Sequence, residues 1–271
     1  MNGFLEAACY SVCGALREKN EDNAFFNADC LELARSDMDR PIRMCRKLSE
    51  AVCVAVFDGM SGEKYGDFAA CTAAEALCRH WDEPHVNPGG DKRMWIEGCC
   101  RAMNAAVLEA GRAFKTSHIG ATVAGLFLEG NTAAAFNLGD SRVYLLRGGE
   151  LKQLSYDHTE RYYPPPYRRK PPLSQYLGVE EEEFLLEPHI AEETTVGDDM
   201  FLLCTDGLTD ALQDEDIRRL LTAYREPERC VEALVQGATE MGSRDNITVI
   251  VGRIRQAPQG IDGAEGTRGE K

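Results

Sequence analysis

Nowhere in the chain does an apolar run approach the ~20 residues that a membrane-spanning helix requires, so no segment reads as a transmembrane span. MNGFLEAACYSV, with no basic segment followed by a long apolar stretch, reads as a poor secretion signal. Positive charge is in short supply, with 30 Lys and Arg against 45 Asp and Glu and a net charge of −15. A nucleic-acid groove needs a cationic surface to displace counterions, and an anionic membrane attracts basic segments, so neither is an expected partner. The eleven cysteines are an odd number, and none forms a C-x-x-C pair. Cys53, Cys71 and Cys204 sit inside apolar patterns. They read as reduced core residues of a cytoplasmic protein in preference to a disulfide framework or a thiolate zinc site. No internal repeat is visible.

What is present is enough for a sizeable core: 44% of the 271 residues are apolar, which allows one large domain or two small ones. Residues 4–12 and 23–28 read as strands flanking the polar segment REKNED, and 51–57 as the next strand. Ala70, Ala73, Ala74, Leu77 and Trp81 recur at helical spacing. So do Ile96, Cys99, Met103, Val107 and Ala110, with Asp91 as the N-cap. GATVAGLFLEG, NTAAAFNLGD, SRVYLLRGGE and LKQLS then read as short strands, with Gly148-Gly149 as a hairpin turn. The basic stretch RYYPPPYRRKPP is a loop, because its prolines remove donors and fix φ. Strands are expected over 182–187 and 200–205, a helix over 227–241, and a last strand at ITVIVGRI. Residues 256–271, rich in Gly and charge, are expected to be a disordered tail. Strands, two helices, strands, a helix and a strand suit antiparallel sheets with helices outside, not a βαβ alternation.

One feature recurs at the strand ends. The apolar run in VAVFDGMSG stops on Asp58-Gly59, FLLCT on Asp206-Gly207, and NTAAAFNL on Gly139-Asp140. Asp245-Asn246 stands immediately before the last strand, and Glu21-Asp22 between the first two. A single Asp-Gly is a turn former. Several strand-end carboxylates brought together are another matter: at 4 Å each like-charged pair costs on the order of 4 kcal/mol with an effective dielectric near 20. Either they are dispersed or a multivalent cation neutralises them. An all-oxygen donor set suits Mg²⁺ or Mn²⁺, and the scarcity of histidine disfavours zinc.

REKNED, VFDGMSG, GAT, NLGDSR, DHT, LCTDGLTD and SRDNITVIV occur in the order found in metal-dependent Ser/Thr protein phosphatases, and the chain resembles the protein phosphatase 2C family over roughly residues 5–254. The resemblance implies an α+β fold, a four-layer α-β-β-α sandwich of two antiparallel sheets flanked by helices. It implies a single catalytic domain over 1–255 with a short flap-like loop at 160–177. It also implies two Mn²⁺ or Mg²⁺ ions. Asp58 would bridge them and Gly59 would lend its carbonyl. Asp206 and Asp245 would hold one ion, with Glu21 on the other side, mainly through water, and Asp22 as a water-mediated or supporting partner. Asp140 and Asp210 would bind a further, weaker ion. Arg17 matches the arginine that grips the substrate phosphate, a role that suits a forked guanidinium. Paired ions of this kind can activate a water for direct attack on a phosphomonoester, without a phosphoenzyme. The implied substrates are phosphorylated proteins, and the expected state is a monomer.

Three departures stand out. Met60 replaces the histidine that follows the DG pair in many eukaryotic members, so a general acid from that position is lost. Ser61-Gly62-Glu63-Lys64 alters the loop that follows. The flap-like loop is short, proline-rich and basic. Arg161, Arg168, Arg169 and Lys170 would form a cationic rim that recruits acidic phosphopeptides, or the loop is simply solvated. His118 and His158 are the histidines nearest these motifs, and each reads as structural sooner than catalytic. Two other functions stay open: a pseudophosphatase that binds or senses, and a hydrolase of small phosphorylated metabolites.

Overall fold

Strand β5 (Val52–Met60) sets the layering. Val52, Val54 and Val56 pack into one apolar core, whereas Cys53, Ala55 and Phe57 pack into another. A strand buried on both faces must be covered on both, by a second sheet on one side and helices on the other. In the computed structural model, which describes residues 3–32, 37–60, 65–82, 91–116, 119–160, 170–180 and 185–256, that is the arrangement.

The first sheet runs in the order β10 (Glu150–Gln153), β9 (Arg142–Arg147), β12 (Met200–Cys204), β13 (Ile247–Gln256), β1 (Gly3–Val12) and β4 (Ile42–Lys47). The second runs β11 (His189–Thr194), β8 (Thr132–Leu138), β7 (Val123–Glu129), β5, β2 (Asp22–Phe26) and β3 (Asp29–Cys30), with β6 (Gly120–Ala121) pairing with the end of β5. All these pairings are antiparallel. Helices α1 (Gly66–Trp81) and α2 (Lys92–Phe114) cover the second sheet through Ala70, Leu77, Ile96 and Met103. The short α3 (Asp206–Thr209) follows β12. Helices α4 (Asp214–Tyr224) and α5 (Pro227–Glu240) cover the first sheet through Ile217, Leu221, Val231 and Leu234. Asp91 caps α2 by accepting from the Arg93 and Met94 amides. Among the described residues, no helix is long and apolar enough to cross a membrane.

The α-β-β-α sandwich is the expected one, with local corrections. β5 does not stop at Asp58 but runs to Met60, because Asp58 pairs with Asp22 and Gly59 with Ala121. Of the strand expected over 182–187, the described residues 185–187 are irregular, and the strand that pairs with β8 is β11, beyond Pro188. Residues 181–184 and the tail 257–271 lie outside the described residues. Strand β4 and helix α4 carry no counterpart among the expected elements.

Candidate active site

Side chains that face the space between the sheets alternate along each strand. Follow these rows to one rim of the sandwich and each changes from apolar to polar. Leu5, Ala7 and Cys9 lead to Ser11, Ala24 to Asp22, and Val54 and Val56 to Asp58. Leu126 and Ala124 lead to Thr122, Leu145 and Val143 to Ser141, Phe201 and Leu203 to Thr205, and Ile250 to Thr248. Seven polar side chains therefore close one end of an otherwise apolar core.

Six of the seven are buried, and hydrogen bonds satisfy them. Thr205 and Thr248 donate from Oγ1 to Asp22 Oδ2 at 2.8 and 2.7 Å. Ser11 shares a 2.7 Å hydroxyl bond with Thr248, and Asn20 Nδ2 donates to Ser11 Oγ at 2.9 Å. Thr122 and Ser141 are joined at 2.6 Å, and the Asp58 amide donates to Thr122 Oγ1 at 3.2 Å. This network is a rigid floor. Above it lies a cleft of about 480 Å³ lined by Arg17, Glu21, Asp58, Gly59, Asp140, Asp206 and Asp245, with Met60 and Lys170 at its sides.

Gly59 is where three backbone segments meet. Its amide donates to the Glu21 carbonyl at 3.1 Å, and a Cβ there would lie 2.0 Å from the Gly66 carbonyl oxygen and 2.5 Å from that of Glu21. Only glycine fits. Gly139, at φ +104°, turns the chain so that Asp140 enters the cleft, and a Cβ would strike Thr122. His158 holds this turn from behind: the Gly139 amide donates to His158 Nδ1 at 3.2 Å, and the His158 amide donates to the Gly139 carbonyl. Burial lowers the His158 pKa, so the ring is a neutral acceptor.

The acids are overcharged. Burial, followed by the charges of Asp206, Asp22, Asp140 and Asp245, holds the Asp58 carboxyl well above the usual range, although solvent reaches it through the cleft. Burial pushes Asp22 up to about 8 despite its two hydroxyl donors. Burial and Asp206 push Asp140 up to about 7, with Lys170 opposing. The chain's own cations answer part of this charge. Arg17 Nη2 donates to Asp245 at 2.5 Å, Lys19 pairs with Asp67 and Glu21 at 2.8 and 3.2 Å, and Lys170 bridges Asp206 and Asp210. Among the described residues, no three acidic, thiol or imidazole groups are drawn into a ready-made ion cage. The carboxylates are nevertheless close enough to raise one another's pKa. An all-oxygen set with surplus negative charge, plus the Gly59 carbonyl, fits hard divalent ions.

A sequence profile described as protein phosphatase 2C matches residues 39–236. The chain belongs to the protein phosphatase 2C family. It is 30% identical to the serine/threonine protein phosphatase PstP of Mycobacterium tuberculosis over 92% of its own length, and it spans 45% of that relative. It is 28% identical to the serine/threonine phosphatase stp of Listeria welshimeri, covering 88% of this chain and 91% of the relative. The catalytic domain of PstP, solved in complex with two manganese ions, superposes with a TM-score of 0.73 at 27% identity over 93% of this chain and 99% of that one.

Against that family pattern, Arg17, Glu21, Asp58, Gly59, Asp140, Asp206 and Asp245 share the cleft. Asp22 lies beneath it, buried in the floor, and Asp210 lies beside it, joined through Lys170. Three contributors go beyond the sequence reading. Asn246 stitches the Arg17 loop to β13: its Nδ2 donates to the Cys13 and Lys19 carbonyls at 2.7 and 3.0 Å, and its Oδ1 accepts from the Glu21 amide at 2.8 Å. Thr205 and Thr248 hold Asp22. Both threonines sit inside the LCTDG and DNITV motifs, on the inward parity of their strands, and that was the available signal. Of the expected basic rim, Arg161, Arg168 and Arg169 lie outside the described residues. Lys170 is exposed at the cleft, and its half-exposed side chain pairs with Asp206 and Asp210.

Proposed function

We propose that this protein phosphatase 2C member hydrolyses phosphoserine and phosphothreonine in proteins with a water nucleophile and no phosphoenzyme. The observation that carries the reading is the convergence of Glu21, Asp58, Asp140, Asp206 and Asp245 with Arg17 in one cleft at the end of the inter-sheet core. Glu21, Asp58, Asp206, Asp245 and the Gly59 carbonyl would hold two divalent ions, and the two manganese ions of PstP support that count. Such ions would acidify an attacking water and neutralise the phosphoryl oxygens.

The chain's own residues do the rest. The Thr122, Thr205 and Thr248 hydroxyls fix the floor, so the acids need little reorganisation when charge changes above them. Arg17 has five N–H donors, more than Asp245 alone can take, and its fork suits two phosphate oxygens. Met60 at the cleft wall offers no proton, so the leaving alkoxide takes its proton from water. Residues 1–255 would act as one catalytic domain.

A pseudophosphatase reading predicts the loss of acids such as Asp58 or Asp245, and both are present. The metabolite-hydrolase reading differs in substrate alone. Comparing kcat/KM on a phosphothreonine peptide with that on small phosphorylated metabolites separates the two. Preference for the peptide is expected, and preference for a metabolite would replace the substrate assignment.

A further inference from the structure

Lys170 comes from the loop that follows DHT, yet its side chain ends among the carboxylates. Its Nζ lies 2.5 Å from Asp210 Oδ2 and also contacts Asp206 Oδ2. The loop is pinned where Lys170 leaves it. The Glu160 amide donates to the Pro172 carbonyl at 2.9 Å, the Ser174 amide donates to the His158 carbonyl at 2.9 Å, and Thr159 bridges to Leu173. Pro171 and Pro172 restrict the backbone between Lys170 and this closure. The ammonium is therefore presented from a braced base and is more than a long side chain that has found a nearby acid. It is a compact point charge with three donors, suited to bridging two carboxylates.

We infer that Lys170 serves as a tethered cation at the outer carboxylate pair Asp206–Asp210, so that this chain takes two divalent ions where its acids could otherwise hold three. The inference rests on the metal-site reading above. Its logic is competition for one place. A divalent ion approaching Asp210 meets a fixed positive charge within bonding distance of the same oxygen, and the carboxylate cannot serve both at full strength. Asp206 is shared between the inner site and the ammonium, so Lys170 ties the loop to the ion-binding acids. A cation held by the chain is always at hand, whereas a weakly held third ion depends on its concentration in solution.

The test is the number of ions bound, read apart from activity. Metal-stripped wild type, Lys170→Gln, Lys170→Arg and the double variant Lys170→Gln/Asp210→Asn are titrated with Mn²⁺, followed by calorimetry and by the EPR signal of free Mn²⁺. Wild type and Lys170→Arg are expected to bind two ions. Lys170→Gln is expected to gain a third, at least about tenfold tighter than any third event in wild type, and the double variant to lose it. Equal third-ion binding in wild type and Lys170→Gln overturns the role of Lys170 while leaving the two-ion reading intact. Three ions of comparable affinity in wild type do the same without any variant. Absence of Mn²⁺ binding in every protein overturns the metal-site reading and this inference with it.

Discussion

Replacing Asp22 with Asn tests how much charge the floor of the site carries. Asp22 is 2% exposed, and its carboxylate accepts from Thr205 and Thr248. An amide of the same shape can accept the same two bonds through its oxygen, so the substitution removes charge with little change in packing. In the metal-free protein the Asp22 carboxyl is pushed from 3.8 up to about 8. A group whose folded pKa lies above its unfolded value binds more protons when folded throughout that interval. Stability therefore falls as pH rises from about 4 to about 8 and levels off above it. At 1.36 kcal/mol per pKa unit the ceiling is on the order of 5 kcal/mol, shared with Asp58, which titrates beside it. Urea unfolding of EDTA-treated protein at a series of pH values from 5 to 9 is the assay. Wild type is expected to lose several kcal/mol across the range. Asp22→Asn is expected to be flatter, and at pH 9 more stable than wild type by about 2 kcal/mol or more. Saturating Mn²⁺ should reverse the order at high pH, because the ions need the charge that Asn lacks. Parallel pH profiles for the two metal-free proteins would refute the claim that burial and repulsion dominate at Asp22.

Other consequences follow from the same geometry. Gly59→Ala places a methyl 2.0 Å from the Gly66 carbonyl oxygen; a loss of about 3 kcal/mol or more is expected in urea unfolding, and a loss below 1 kcal/mol would mean that the α1 junction yields easily. Asn246→Ala removes three bonds to the Arg17 loop and should cost about 3 kcal/mol, with faster amide exchange over residues 13–21; unchanged exchange there would show that the loop is held by other contacts. Arg168→Ala with Arg169→Ala should raise KM for acidic phosphopeptides and leave kcat on neutral ones unchanged. An unchanged KM would leave that basic stretch as a solvated loop.

Much of the fold was legible because its strands are short, apolar and punctuated. β5, β8 and β12 announce themselves by runs that end in Asp-Gly or Gly-Asp, and α2 by its Asp91 cap and heptad-like spacing. The edge strands were not legible. β4 buries Met44 alone and shows no alternation, and β11 (HIAEET) is half exposed and becomes a strand only by pairing with β8. Helix α4 is short but amphipathic: Ile217 and Leu221 are buried one turn apart behind an acidic first turn, a signal that the sequence does carry. In the site, the acids were found as strand ends, yet the stronger clue is parity. Asp58 continues the row of Val54 and Val56, and Thr205 that of Phe201 and Leu203, so their meeting place between the sheets was encoded in period two. Contacts that join distant segments have no such local signature. Asn246 reaching residues of the Arg17 loop 233 and 227 positions earlier, and Lys170 pairing with the acids, depend on how loops close over the finished sandwich.

The most direct test of the central claim is phosphate release from a phosphothreonine peptide by metal-stripped protein, before and after Mn²⁺ or Mg²⁺, and beside Asp206→Asn. Turnover that appears with the metal, vanishes with EDTA and is lost in the folded Asp206→Asn protein is the expected result. Turnover that survives EDTA, or none in folded protein that has bound Mn²⁺, would contradict a metal-dependent phosphatase site at the end of this sandwich.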